Sequence, residues 1–170
     1  LDESNPSVFF TSLRQCGVLS RLFPEIDALF GVPQNAKYHP EIDTGLHVMM
    51  ALQASAELGH DNETRFAVLM HDLGKASTPA DILPSHHGHE ARGKKPVTAF
   101  CKRWRVPRAH TDLALITTEL HLLAHRCQEL KSSTLLKLFI RADSLRKPER
   151  FEKMLEACRA DIRRRIGYEN

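Results

Sequence analysis

Apolar positions along this chain recur at the spacing of amphipathic helices. In the segment FAVLMHDLGK, Phe66, Leu69, Met70 and Leu73 fall on one face of a helix. The segments DTGLHVMMALQASAELG and PRAHTDLALITTELHLLAHRC carry apolar stripes of the same period. Runs with strict alternation and Asn-Gly hairpin signals are absent from the sequence. The pattern therefore predicts an all-α protein built as a helical bundle.

Cap residues and prolines divide this pattern into separate helices. Asn62 is placed to cap the helix that leads to the His-Asp pair, and Gly74 is placed to close it. Two prolines and a group of histidines indicate a loop over residues 76 to 90. We expect Pro96 to kink or restart the helix that follows this loop.

Composition limits the class of protein without naming a function. The 170 residues suffice for one domain with a real core, and a formal charge of +3 permits a nucleic-acid partner without arguing for one. The longest apolar runs, AVLM and LALI, are far shorter than the ~20 residues that cross a bilayer. Four widely spaced cysteines without a Cys-x-x-Cys pair fit reduced, buried thiols. We expect a cytoplasmic protein that does not enter a membrane.

Imidazoles and carboxylates occur on faces that the apolar pattern predicts to be inward. His47 is in phase with Met50, Ala51 and Ala54, and Asp143 is in phase with Leu136, Phe139 and Ile140. A third helix ends in His71 and Asp72. One divalent ion would satisfy all four polar residues and leave positions for water and substrate.

Each of these residues also has a simpler interpretation. A single inward histidine is more often a hydrogen-bonded core residue than a metal ligand. A single inward aspartate is often a buried cap or half of an ion pair. Four such residues on three separate helices are difficult to explain by structural needs alone, so the combination favours a metal site.

The same residues resemble a known family. The spacing His47, His71-Asp72, Asp143 and the segment HDLGK resemble the HD superfamily of metal-dependent phosphohydrolases. The segments NPSVFFTSLRQCGVLSRLFPEIDALFGVPQNAKYHPEIDTGLHVMMAL, GHEARG and LFIRADSLRKPERFEKMLEACRADIRRR resemble the HD region of multifunctional bacterial class II CCA-adding tRNA nucleotidyltransferases. This resemblance covers essentially the whole chain. It implies an HD-domain helical bundle, with a metal site between helices, over residues 31–170, and a helical end of a preceding neck region over residues 1–30.

The resemblance also implies roles for individual residues. The implied metal ligands are His47, His71, Asp72 and Asp143. The implied catalytic residues, which would contact the phosphate or protonate the leaving oxygen, are Lys75, His89 and His121. The expected cofactor is a divalent metal ion, Ni²⁺ or Mg²⁺, with Mn²⁺ as a further candidate. We expect five further histidines to be surface residues, namely His39, His60, His86, His110 and His125.

The activity that the resemblance implies is phosphate-ester hydrolysis. Its expected forms are 2′,3′-cyclic phosphodiesterase, 2′-nucleotidase and phosphatase activity on tRNA 3′ ends or on nucleotides, in tRNA processing and repair. Nucleotide addition needs paired carboxylates after a Gly-rich turn, and the sequence contains no Asp-x-Asp. Because the chain starts at Leu1, we expect it to be a piece of a longer protein whose CCA-adding part is absent here.

A basic segment offers a surface for the substrate. In GKKPVTAFCKRWRVPR, Lys94, Lys95 and Arg103 accompany Trp104 and would bind tRNA phosphates, with an affinity that falls as salt rises. The simpler interpretation of this segment is a solvated helix face, which the small net charge favours.

A function without catalysis is the alternative. The same fold would then serve as a noncatalytic module for tRNA binding or dimerisation. A complete set of ligands argues against this alternative, because a site that has lost turnover usually lacks a ligand. Self-association is a further expectation, since Phe9, Phe10, Leu19 and Phe23 would expose apolar surface if separated from a preceding region.

Overall fold

Helices dominate the fold of the described residues. This computed structural model describes residues 1–35 and 42–163. Over that range the α-helices are α1 (Pro6–Gln15), α2 (Leu19–Leu22), α3 (Pro24–Asp27), α4 (Thr44–Glu57), α5 (Asn62–Met70), α6 (His89–Arg103), α7 (Arg108–His125), α8 (Ser132–Ala142) and α9 (Pro148–Arg163). Three short 3-10 helices span Leu73–Ser77, Ala80–Ile82 and Cys127–Glu129. The β-structure within the described ranges is one isolated bridge, so the all-α prediction is confirmed.

Helix boundaries follow local hydrogen bonding. The Asp61 side chain accepts a hydrogen bond from the Thr64 backbone N–H and caps α5, so the cap lies one residue before the predicted Asn62. Helix α5 ends at Met70, and the His-Asp pair follows it directly. Helix α6 continues through Pro96, so the proline does not restart the helix.

The amino-terminal helices share a core with the rest of the chain. Phe10, Leu19, Ile26 and Leu29 are buried in one cluster with apolar residues of α4, α5 and α6. Phe10 and Leu19 therefore do not expose apolar surface as expected, whereas Phe9 is 55% exposed. The division of the chain near residue 30 stays a prediction.

A second cluster surrounds α5. Helix α5 packs against α4, α7 and α9, and its own apolar residues Ala67 and Val68 join those of α7, α8 and α9 in the core. The carboxyl end of α5 therefore lies where α4, α7 and α9 can each present a side chain to it. Among the described helices, none has the length and apolarity that a transmembrane span needs.

Helix α8 presents a different face to the core than the sequence suggested. Leu138 and Ala142 are buried, whereas the predicted inward residues are exposed, Leu136 by 59% and Ile140 by 67%. Asp143 ends the helix in a left-handed conformation, with φ of 52°. The prediction that Asp143 points into the core is therefore wrong, because the face of α8 that packs against the core is the one that carries Leu138 and Ala142.

Candidate metal centre

Four buried segments converge on a group of imidazoles and carboxylates. His47 of α4, His71 after α5 and Asp161 of α9 each place one ligand atom within 4.8 Å of the others. His71 also belongs to a second group of this kind, with Asp72 and His121 of α7. All five residues are at most 2% exposed.

The distances within these groups suit a shared metal ion. His47 Nε2 lies 2.7 Å from Asp161 Oδ1 and 3.8 Å from Asp72 Oδ2. His71 Nε2 lies 3.2 Å from Asp72 Oδ2 and 3.8 Å from Asp161 Oδ1. Two ligand atoms that each lie ~2.1 Å from one ion are at most ~4.2 Å apart. These four separations are therefore compatible with a single ion between the side chains.

Backbone hydrogen bonds fix how three of the histidines face this centre. The Nδ1 atoms of His71, His89 and His121 lie 2.7, 2.9 and 3.1 Å from carbonyl oxygens three or four residues earlier. A carbonyl oxygen only accepts, so each Nδ1 carries hydrogen and donates it. In its neutral form, each ring then presents a lone pair at Nε2 toward the centre, which is the form that binds metal.

The Nε2 atoms of these rings crowd around one carboxylate. His89 Nε2 lies 3.2 Å from His121 Nε2, and these two atoms lie 3.3 and 3.7 Å from Asp72 Oδ1. Lone pairs of two imidazoles and a carboxylate that face one another at this range repel unless a proton or a cation lies among them. The donor set therefore fits a divalent cation.

Burial and charge act on the protonation of these residues in opposite directions. Burial alone would raise the pKa of Asp72, but the charges of His71 and Lys75 hold it well below the ordinary value. Burial lowers the pKa of His71, yet the carboxylates of Asp72 and Asp161 outweigh it and raise the value. Burial and the charge of His71 lower the pKa of His121 well below the ordinary value. His121 is therefore a neutral imidazole near pH 7.

A lysine completes the centre. Lys75 Nζ lies 2.7 Å from Asp72 Oδ2 and donates a hydrogen bond to Gln34 Oε1 at 2.6 Å. An ammonium group has three N–H donors, so one donor remains for a further acceptor. Lys75 is only 6% exposed, and Gln34 and Asp72 hold it in place.

The centre opens onto a cleft of about 1080 Å³. Asp72, Lys75 and His121 line the cleft near the buried residues. Farther along the wall, Glu119 accepts hydrogen bonds from Lys94 at 2.7 Å and from an arginine of α8 at 2.6 Å. A smaller cavity of about 380 Å³ also includes Lys75 in its wall. Lys75 therefore lines both the cleft and the smaller cavity next to the centre.

Comparison with known proteins agrees with this geometry. A family model described as HD domain matches residues 44–147, more than half of the chain. The chain belongs to the HD domain family. HD domains bind divalent metal ions, and the buried groups of this HD domain provide the ligand types for one.

Several curated relatives are similar over the whole chain. The multifunctional CCA protein of Thioalkalivibrio sulfidiphilus is 55% identical over 170 residues, which cover all of this chain and 42% of the relative. The proteins of the same name from Laribacter hongkongensis and Dechloromonas aromatica are 53% and 54% identical, over 99% and 100% of this chain and 42% and 41% of theirs. The chain thus spans about two fifths of the length of these relatives.

The predicted metal ligands divide into two sets. His47, His71 and Asp72 lie together in the HD domain centre. Asp143 lies in neither described ligand group; its side chain is 31% exposed, with Oδ1 3.8 Å from Arg146 Nε. Asp161 stands where the fourth ligand was expected, although it lies outside the segment that the HD domain model matches.

The predicted catalytic residues come together around Asp72. Lys75, His89 and His121 each place a side-chain nitrogen within 3.7 Å of one of its carboxylate oxygens. All three residues are buried, since none of them is more than 6% exposed.

The predicted substrate-binding residues do not come together. Lys94 lines the cleft of the centre and donates to Glu119. Lys95 lines a separate cavity of about 690 Å³. Arg103 donates hydrogen bonds to both carboxylate oxygens of Glu25, each at 2.7 Å. Only Lys94 of this set therefore lies on a wall of the cleft, and its charge is already paired.

Sequence reasoning missed three residues of the centre. Asp161 follows Met154 by seven positions and Cys158 by three, so the helical period of α9 already placed it on the buried face. His125, taken as a surface residue, has a side chain only 7% exposed, and its Nε2 lies 2.5 Å from Asp161 Oδ2. Gln34 had no sequence signal, since it meets Lys75 only through the fold. His39 lies outside the described residues.

Proposed function

We propose that this chain is a metal-dependent phosphohydrolase with 2′,3′-cyclic phosphodiesterase, 2′-nucleotidase and phosphatase activity. The observation that carries the proposal is the convergence of buried imidazoles, carboxylates and Lys75 at the end of an open cleft. A cation and a cluster of metal-binding side chains at a cleft are the parts that phosphate-ester hydrolysis requires.

The metal would be held by His47, His71, Asp72 and Asp161, with Asp161 in the place first expected for Asp143. Mixed imidazole and carboxylate ligands favour a transition ion such as Ni²⁺ or Mn²⁺ over Mg²⁺, which prefers oxygen. A divalent ion held there supplies an acidified water as the nucleophile and positive charge for the phosphoryl oxygens.

The residues of the chain supply the remaining parts of the reaction. Lys75 uses its free N–H donor to bind a phosphoryl oxygen and to stabilise negative charge on it. His89 Nε2 lies 3.3 Å from Asp72 Oδ1, and we assign it to protonate the leaving oxygen when the ring carries hydrogen on both nitrogens. His121 is neutral near pH 7, so we assign it to ligation or to accepting a hydrogen bond rather than to proton donation.

The proposed substrates are tRNA 3′ ends or nucleotides that carry 2′,3′-cyclic or 2′-phosphates. Removal of such a phosphate would leave the free hydroxyls that nucleotide addition needs. The relatives named multifunctional CCA proteins support tRNA as the partner. The cleft volume of about 1080 Å³ lies slightly above the ~300–1,000 Å³ typical of small-molecule pockets, which suits a substrate larger than one phosphate ester.

A hydrolysis assay on chelator-treated protein tests this proposal. Ni²⁺, Mn²⁺, Mg²⁺ or Zn²⁺ is added singly, with 2′,3′-cyclic AMP and p-nitrophenyl phosphate as substrates. We expect turnover that depends on the metal. We expect Asp72→Ala to abolish it, because the Asp72 carboxylate lies within 4 Å of a ring nitrogen of His71 and of the ammonium of Lys75. Asp112→Ala is the matched control, since Asp112 pairs with Arg108 near the protein surface.

Absence of turnover with every metal, from a sample shown to be folded, would reject the phosphohydrolase proposal. Binding of tRNA by that inactive sample would then favour the noncatalytic module. Incorporation of CMP or AMP into tRNA by this chain would contradict the expectation that nucleotide addition requires a part not present here.

A further inference from the structure

His125 makes a part-buried contact with the metal centre that neither the family nor the relatives' names account for. Its Nε2 atom lies 2.5 Å from Asp161 Oδ2, and its side chain is only 7% exposed. A carboxylate near neutral pH only accepts hydrogen bonds, so Nε2 carries hydrogen and donates it. The contact links the carboxyl end of α7 to α9.

The contact determines which oxygen of Asp161 faces the other ligands. With Oδ2 engaged by His125, Oδ1 lies 2.7 Å from His47 Nε2 and 3.8 Å from His71 Nε2. Loss of the His125 hydrogen bond would remove one restraint on rotation of the Asp161 carboxylate about its Cβ–Cγ bond. His125 also follows His121 by one helical turn, so α7 supplies one residue to each side of the centre.

We propose that His125 is a positioning residue, which holds Asp161 so that Oδ1 is directed at the metal ion. The inference rests on the proposed metal site, but it does not require that the chain hydrolyses any particular ester. Hydrogen-bond partners of metal ligands orient those ligands, and their loss typically lowers metal affinity ~10–100-fold. The ordered carboxylate would reduce the conformational entropy lost when the ion binds.

Direct measurement of metal affinity tests this role. The dissociation constant for Mn²⁺ is measured by calorimetry on the whole chain and on three variants, His125→Ala, His125→Gln and His110→Ala. We expect His125→Ala to weaken Mn²⁺ binding ~10–100-fold. We expect His125→Gln to recover most of the loss, because its amide N–H can still donate to Asp161.

His110→Ala is the matched control. His110 lies on the same helix, α7, and its ring packs against Phe66 with centroids 6.0 Å apart rather than against the centre. We expect its removal to leave Mn²⁺ affinity unchanged within about twofold, even if the melting temperature falls. The visible spectrum of bound Co²⁺ is the second measurement, and it should change in His125→Ala but not in His110→Ala.

Unchanged Mn²⁺ affinity and an unchanged Co²⁺ spectrum in His125→Ala would overturn the positioning role. An equal loss in His125→Gln and His125→Ala would also overturn it, because the donor would not be what matters. Hydrolysis is measured separately on the same samples. If Mn²⁺ affinity depends on His125 as described but the chain hydrolyses no phosphate ester, the proposed function is rejected and the positioning role of His125 is retained.

Discussion

The substitution Gly74→Ala tests whether the segment after the His-Asp pair packs closely against α6. Gly74 lies in the 3-10 helix Leu73–Ser77, directly after the His-Asp pair and against the first turns of α6. A Cβ atom placed on Gly74 would lie 2.0 Å from the His89 carbonyl oxygen and 2.6 Å from the Gly93 backbone nitrogen. Both atoms belong to the backbone of α6, so no side chain can rotate away to relieve the contact.

The size of the effect follows from the overlap. Ordinary contact begins near 3.4 Å, so Gly74→Ala requires the two segments to separate by about 1.4 Å, the difference from 2.0 Å. Overpacking typically costs ~1–3 kcal/mol, and a backbone overlap belongs at the upper end. About 3 kcal/mol corresponds to a fall of roughly 6–12 °C in melting temperature for a chain of this size. Because His89 moves with α6, we also expect kcat/KM to fall ~100-fold, as for a 1 Å misplacement.

The assay compares thermal unfolding and hydrolysis of 2′,3′-cyclic AMP in Gly74→Ala and Gly17→Ala. Gly17 has a φ of +69° and nothing within 4 Å of an added Cβ. Gly17→Ala therefore tests backbone strain alone, with a cost of roughly 1–2 kcal/mol and unchanged kcat/KM. A Gly74→Ala variant with the melting temperature and kcat/KM of the parent chain would refute the close approach of these segments.

Three further predictions concern charge. Asp161→Asn should weaken Mn²⁺ binding by more than the ~10–100-fold that is typical of a lost hydrogen-bond partner. Asp143→Asn should leave Mn²⁺ binding unchanged. Calorimetry that gave the reverse order would instead support Asp143 as the fourth ligand. Burial raises the pKa of Asp61, but the hydrogen bonds from Lys153 and Thr64 together outweigh burial and lower the pKa. The pair of Asp61 and Lys153 therefore stabilises the fold above the unfolded pKa of ~3.9, and this contribution is lost as pH falls through the lower folded value. Lys153→Met should thus lower the free energy of unfolding by less than ~1 kcal/mol at pH 7, since solvent screens the pair, and urea unfolding that showed the same deficit at pH 3 would contradict the pairing. Glu119→Gln should lower KM for an anionic ester about fivefold at low salt, because one charge pair in water contributes ~1 kcal/mol. An unchanged KM, or a decrease in KM that persists in 1 M salt, would argue against an electrostatic effect.

The helical period predicted the fold class and the segment that carries the centre, but it did not select the correct face of every helix. Helix α8 carries apolar residues on two stripes, and periodicity alone cannot tell which stripe the neighbouring helices cover. Leu138 and Ala142 face inward, so Asp143, in phase with the other stripe, ends near solvent. The expected inward position of Asp143 therefore failed because the rotation of α8 about its axis was not predicted.

The candidate ligand on α9 could have been found by the same reasoning. Asp161 shares the buried face with Met154 and Cys158, and a carboxylate on such a face needs a partner. His125, one turn after His121, repeats this pattern on α7. Read together, these two positions would have indicated that α7 and α9 meet at the centre, because each carries an inward polar residue near its carboxyl end.

Other features depend on contacts that sequence periodicity does not encode. The Nδ1 hydrogen bonds of His71, His89 and His121 depend on the local backbone path and determine which ring nitrogen faces inward. Gln34, which lies outside the helices, contacts Lys75 although the two residues are 41 positions apart in the sequence. Tertiary packing, not local preference, creates both features.

The most direct test of the account is the location of a bound metal ion. Crystals of the chain grown with Mn²⁺ are measured at a wavelength where manganese scatters anomalously. We predict an anomalous peak within about 2.3 Å of His71 Nε2 and of a carboxylate oxygen of Asp72, with Asp161 among the ligands. A peak beside Asp143, or no peak at the buried centre in crystals saturated with Mn²⁺, would contradict it.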